Sequence, residues 1–333
     1  MDNMKFIQAV SRLRALETKL LDKSKIDRLI DSSSPEEALK LLQETQYGNH
    51  MGNIKRPEEY EILLSEELKR LYALMYEISP EKLIIDIMSI RYDYHNIKVL
   101  IKGKLLGKDL SYLLIPVGTV NADILKRCSD ECNYRDLNGF MRSTFEKSLM
   151  IFEESEDPQK IDIIADKFMY EDMYSKGKET GEKAIIDYIK TNIDLTNLKA
   201  FLRIKKQNKD RNFFSEVFVE NGKLDRDVFL NNFNDSIESF INKVSHTDYY
   251  NILRLGIEDY LNTGDFNLFE KLVDNYTMNY VKDAKYVSFG AEPLIAYIYA
   301  KETEIKVIRI IMVGKLNGIA PDTIRERLRD VYV

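Results

Sequence analysis

Asp93-Tyr94-His95-Asn96-Ile97-Lys98, with Ile84-Ile85-Asp86-Ile87 ahead of it, is the stretch that decides the fold, because the chain repeats it. Ile185-Ile186-Asp187-Tyr188 and then Asp194-Leu195-Thr196-Asn197-Leu198-Lys199 follow at a constant offset of 101 (194 − 93, 185 − 84). A third copy, Ile295-Ala296-Tyr297-Ile298 and then Glu304-Ile305-Lys306-Val307-Ile308-Arg309, stands at an offset of 211 (304 − 93). Copies one and three share a tail, Gly103-Lys104-Leu105 and Gly314-Lys315-Leu316, with Gly107 matching Gly318; the middle copy lacks these glycines. Each copy carries an acid, then Asn, Asn or Val, then a base, on an amphipathic pattern. A spacing near one hundred residues exceeds the common solenoid periods of about 20–50 residues. It predicts three related helical bundles in tandem, with approximate limits 1–115, 116–222 and 223–333, and an all-α fold.

The flanking sequence reads the same way. Leu83, Ile87, Ile90, Tyr94, Ile97, Ile101 and Leu105 recur every three or four residues, the period of one helix face. Unbroken from Glu81 to Gly107, this helix would be about 40 Å long at 1.5 Å per residue. Phe6, Val10, Leu13, Leu16 and Leu20 give the same period near the start. Ser34-Pro35-Glu36-Glu37 combines a capping serine, a first-turn proline and an acid placed for a capping box. Tyr47-Gly48-Asn49 is expected to end that element. Asp157-Pro158, Gly177 and Asn221-Gly222 read as turns. Leu113–Thr119 (Leu-Leu-Ile-Pro-Val-Gly-Thr) is neither clearly helical nor clearly polar, and reads as a tucked connection between bundles.

Composition narrows the function. The 333 residues are 44% hydrophobic and 31% charged, with only 14 Gly and 7 Pro, which suits long helices in packed domains. The longest stretch without a charged residue, Leu110 to Ala122, is too short to cross a bilayer. No apolar region of signal-peptide length follows the start, so a cytosolic location is expected. A net charge of −6 argues against general nucleic-acid binding, which needs a basic face. Cys128 and Cys132, four apart, read as two reduced thiols, since a metal site needs more ligands. His50, His95 and His246 are scattered; no HExxH, GxGxxG, GxSxG or complete phosphate loop occurs. No cofactor and no small-molecule substrate are implied. Basic groups after each copy (Lys98, Lys102, Lys104 and Lys108; Lys199 to Arg211; Arg325, Arg327 and Arg329) suit either solvated helix ends or a partner face. Within each copy the acid and the Asn share a helix face, while the base, five residues on, turns away. That spacing favours a polar network within each bundle over direct contact by the acid.

Phe289-Gly290-Ala291-Glu292-Pro293-Leu294-Ile295-Ala296-Tyr297, then Ala300-Lys301-Glu302-Thr303-Glu304 and Gly314-Lys315-Leu316-Asn317-Gly318, resembles the C-terminal signature of the C subunits of V/A-type ATPases, the family of the eukaryotic V-ATPase d subunit. Ser11-Arg12-Leu13-Arg14-Ala15-Leu16-Glu17, Asp93–Lys98 and Ile115-Pro116-Val117-Gly118-Thr119 fit the same family. Val307, where Asn96 and Asn197 lead one to expect a polar residue, departs from the pattern. The resemblance implies a non-catalytic adaptor shaped as a pseudo-threefold funnel. Its partners would be central-stalk subunits of D/F type and a membrane ring of c/K type, with one copy per complex on the cytoplasmic face. Asp93, Asn96, Lys98, Asp194, Asn197, Lys199, Glu304 and Arg309 are the candidate partner-binding residues, on the hypothesis that the polar sides of the repeat helices line a socket. A free-standing helical scaffold is the main alternative, and an enzyme, which would need a deep pocket with perturbed titratable groups, is the other.

Overall fold

A computed structural model describes residues 3–333, and all regular structure among them is helical. In chain order the helices are α1 (Ile7–Glu17), α2 (Lys23–Asp31), α3 (Pro35–Gln43), α4 (Tyr60–Ile78) and α5 (Lys82–Leu106). Then come α6 (Ala122–Glu131), α7 (Gly139–Ser155), α8 (Pro158–Thr180), α9 (Lys183–Lys206), α10 (Arg211–Val217), α11 (Arg226–Asn231), α12 (Ile237–Lys243) and α13 (Tyr250–Thr263). α14 (Asn267–Lys282), α15 (Glu292–Leu316) and α16 (Pro321–Arg327) complete the set. The three repeat copies fall on the long helices α5, α9 and α15, with the acid near the middle of each.

Two compact units emerge, one of residues 1–85 with 262–333 and one of residues 86–261. These limits do not follow the tandem boundaries expected near residues 115 and 222, because α15, late in the chain, packs against α4, α1 and α3 from its beginning. α15 is buried on nearly every face: Ile305, Ile308, Ile311 and Met312 meet Leu29, Ile30, Leu42 and Leu63 in one cluster. A helix buried on nearly every side is the centre of a unit, not its coat. In the second unit α7, α8 and α9 pack in succession. Phe201 of α9 is ringed by Phe214, Phe229, Phe233 and Phe240, with Phe240 stacked at 4.2 Å.

Local signals act largely as read. Ser34 accepts the N–H of Glu37 at 3.2 Å, while the Glu37 carboxylate reaches the N–H of Ser33 rather than that of Ser34. Asp157 caps α8 with Pro158 in its first turn. Asn221 turns in the left-handed region at φ 71°. Two expectations need correction. α3 stops at Gln43, and Tyr47-Gly48-Asn49 belongs to a separate 3-10 segment, Gln46–Asn53. Gly177 is not a turn but lies inside α8, where a β-carbon would come within 2.6 Å of Ile189 Cδ1; its smallness lets α8 approach α9.

Candidate functional site

The acid of each copy is buried, with Asp93 and Asp194 at 0% exposure and Glu304 at 3%. A buried carboxylate must be satisfied by hydrogen bonds or by a partner charge. Asp93 on α5 accepts the N–H and hydroxyl of Thr119 at 2.8 and 2.7 Å and the N–H of Val120 at 3.0 Å. Asp194 on α9 accepts the N–H of Lys223 and that of Leu224, both at 3.0 Å, and the Tyr249 hydroxyl at 2.8 Å. Glu304 on α15 accepts the N–H of Leu21 at 2.5 Å and the Tyr47 hydroxyl at 2.8 Å. All three therefore grip main chain from a distant segment, which fixes where that segment lies on the long helix.

The neighbouring asparagines complete the grip in two copies. Asn96 exchanges a reciprocal pair with Ile115, donating to its carbonyl at 2.9 Å and accepting its N–H at 2.8 Å. Asn197 does the same with Val219, at 2.7 and 2.9 Å. Both connections are irregular, so their backbone groups need outside partners. Ile115 and Val219 each lie four residues before the segment gripped by the acid. Counted from Leu21, which stands in the place of Val120 and Leu224, the equivalent residue is Leu16, in the last turn of α1, where the backbone N–H already has its helical carbonyl. Val307, 1% exposed, is therefore the side chain that suits the third copy.

Glycine sets how close the acid can come. A β-carbon on Gly118, just before Thr119, would collide with the Asp93 carboxylate, and one on Gly222, just before Lys223, with the Asp194 carboxylate. In the third copy, where Leu21 stands in the place of Val120 and Leu224, the matching residue is Lys19 and the acid is the longer Glu304. One more methylene gives Glu304 a longer reach than the two aspartates have.

α15 also carries a buried ion network. Lys301, 0% exposed, lies 2.9 Å from Glu67 of α4 and 2.6 Å from Glu304, with its ammonium 4.5 Å from the Tyr47 ring centroid. Arg70 holds both oxygens of Glu67 at 2.7 and 2.8 Å. Glu302, also buried, accepts the Tyr72 hydroxyl at 2.7 Å. Burial pushes the Lys301 pKa down, but Glu304 and Glu67 outweigh it and leave the ammonium above its usual value. Burial pushes Glu67 up, and Arg70 with Lys301 brings it below the usual carboxylate range. The two aspartates differ: burial outweighs their hydrogen bonds, raising Asp194 and pushing Asp93 up to about 6.

The bases face outward or sideways, as the five-residue spacing requires. Lys98 pairs with Asp166 of α8 at 2.9 Å, and Arg309 with Glu61 of α4 at 2.6 Å, both part-exposed. Lys199 is half-buried on α9. Asp93, Asn96, Asp194, Asn197 and Glu304 are all turned onto their own chain. Sequence reasoning missed the gripped segments, although Gly118-Thr119 and Asn221-Gly222 had stood out, and it missed Glu67, Arg70 and Tyr249, which no local pattern marks. Cys128 is buried, Cys132 exposed, and both are free. Among the described residues no group of His, Cys, Asp or Glu is placed to hold a metal. None of their helices is long and apolar enough to cross a membrane.

Fold and site together define a class: an all-α chain of three-copy design, whose repeated acids brace its own backbone. Comparison with known proteins makes this specific. The sequence pattern of the family described as "ATP synthase (C/AC39) subunit" matches residues 9–327, and the chain belongs to that family. It is similar to the C subunit of the V-type sodium ATPase of Enterococcus hirae, 28% identical over 320 residues that cover 96% of this chain and 97% of the relative. It is also similar to the C subunit of the A-type ATP synthase of Methanocaldococcus jannaschii, 29% identical over 339 residues, 96% of this chain and 84% of the relative.

Proposed function

We propose that the chain is the non-catalytic adaptor of a rotary V/A-type ATPase, joining central-stalk subunits of D/F type to a membrane ring of c/K type. The observation that carries this reading is near full-length similarity to the C subunits of such machines, combined with a repeat whose polar groups serve internal bracing. A part that passes torque must not shear internally. Close-packed helices have low compressibility, and a carboxylate holding two or three donors resists sliding of the segment it grips better than a neutral contact does. In this reading Asp93, Asn96, Asp194, Asn197 and Glu304 act on partners indirectly, by fixing the segments that shape the contact surface. We assign partner contact to Lys98, Lys199 and Arg309, the members of the repeat that stay at least partly exposed. Charges that reach the surface set specificity and encounter rate in a joint that must assemble.

The test is a triple reversal, Lys98→Glu, Lys199→Glu and Arg309→Glu, assayed by pull-down with a coiled-coil protein of the central stalk. Weakened capture with unchanged circular dichroism is expected. Unchanged capture would reject these three residues as the contact, and failure of the wild-type chain to co-purify with any stalk protein would reject the adaptor reading itself.

A further inference from the structure

Eleven residues beyond each repeat acid stands a lysine: Lys104 after Asp93, Lys205 after Asp194 and Lys315 after Glu304. Eleven residues is about three helical turns, so acid and lysine share a face roughly 16 Å apart. Each ammonium donates to main-chain carbonyls, Lys104 to Ser129 at 3.0 Å, Lys205 to Asp235 at 2.6 Å and to Phe233, and Lys315 to Ser32 at 2.5 Å. Ser129 lies in the last turn of α6, Ser32 directly follows α2, and Phe233 and Asp235 follow α11 by two and four residues. The N–H groups gripped by the acids lie just ahead of the N-terminal ends of the same three helices. Each long helix thus brackets one short helix, negative charge at its start and positive at its end, as the helix dipole favours.

The spacing shows that the three brackets are one device. Acid and lysine reach across 26 and 25 residues in the first copy, and 29 and 28 in the second. In the third they reach across 283 and 283. Matched separations within each copy mean that long and short helix run parallel and in register. The bracketed helices also share a local pattern. Val120-Asn121, Leu224-Asp225 and Leu21-Asp22 open them, with Asn121, Asp225 and Asp22 at the N-cap. Four residues after the cap come Leu125, Phe229 and Ile26, all buried.

We propose that α2 is the bracketed helix of the third copy, so that the repeat is cyclically permuted in the sequence. The short helix that comes after the long one in copies one and two is supplied to copy three by residues 21–32. The bracket of α15 on α2 is then a latch that closes the first unit without a short covalent connection. This stands on the contacts alone and is independent of the adaptor reading.

Equivalence of the three brackets makes a prediction that a chance contact does not. In copies one and two a short Asp is matched to a Gly three residues before the N-cap; in copy three a Glu is matched to Lys19 at that place. Glu304→Asp should release the start of α2, and amide exchange over residues 21–32, followed by mass spectrometry on the full chain, should quicken about tenfold, as expected for losing a charged hydrogen bond. Lys19→Gly, at an exposed turn position, should quicken it as well, by loosening the turn that leads into α2. Combined, they recreate the Asp–Gly arrangement, and the double variant should exchange distinctly more slowly than the product of the two single effects. Multiplicative effects would overturn the equivalence. Lys315→Met, a part-exposed site, supplies the second arm. It should loosen α2 and leave α6 and α11 unchanged, while Lys104→Met loosens α6 alone and Lys315→Arg restores α2. An α2 unaffected by Lys315→Met, or one loosened no more than α6 and α11, would overturn the latch.

Discussion

Replacing Lys301 by Met tests the centre of the first unit. The two side chains have similar length, so packing is largely kept while the charge is removed. The ammonium lies 2.9 Å from Glu67 and 2.6 Å from Glu304, all three essentially without solvent. Deleting one member of a buried ion pair costs about 3–5 kcal/mol, because the remaining charge stays desolvated. Glu67 keeps its two bonds from Arg70, which places Lys301→Met near the lower end, about 3 kcal/mol. Glu304 is the group left exposed to the loss, with only the Leu21 N–H and the Tyr47 hydroxyl remaining. In a unit of roughly 160 residues each kcal/mol moves the midpoint by about 2–4 °C, so a fall of about 6–12 °C is expected. Scanning calorimetry at pH 7 reads this directly, with amide exchange to place the loosening in the first unit. A double cycle with Glu67→Gln should show that the two changes together cost clearly less than their sum. A fall below about 2 °C, or strict additivity, would refute the view that this network carries its charges at full value.

Other consequences are equally direct. Gly118→Ala or Gly222→Ala forces a methyl into the carboxylate beside it, and each should cost about 2 kcal/mol or more by urea unfolding, with exchange quickening around Thr119 or Lys223. Tyr249→Phe removes one of the donors to Asp194 while the Lys223 and Leu224 N–H groups stay, so a smaller loss of about 1–2 kcal/mol and a further rise in the Asp194 pKa by carboxyl NMR are expected. Asp93 holds its proton up to about pH 6 when folded, against 3.8 for the free group, so the folded form binds more protons between these values. Its contribution is present at low pH and is lost as pH rises through about 6; the melting temperature of the wild type minus that of Asp93→Asn should therefore grow as pH falls from 7 to 4.5, and a gap that is constant or shrinks would contradict this.

Much of the molecule is legible in the chain because helix period is a local property. Heptad-like spacing in α5 and the Ser34-Pro35 start place their elements to within a residue. The failures come from contacts. Gly177 looks like a breaker until α9 is seen to need the space it leaves, and the 3-10 segment after Thr45 depends on its packing against α4. Lys301, Glu67 and Arg70 look like ordinary surface charges in sequence, since nothing local says that α4 and α15 bury them face to face.

The amino-acid sequence by itself determined the helical class, the three copies and their acids at fixed spacing, and it pointed to the family, because these depend on residues a few turns apart. Whether those acids look outward or inward was decided only by tertiary structure. Their partners are backbone N–H groups lying from 26 to 283 residues away. A buried carboxylate becomes tolerable only when such donors have been brought to it, and that is a property of the folded chain, absent from any single helix.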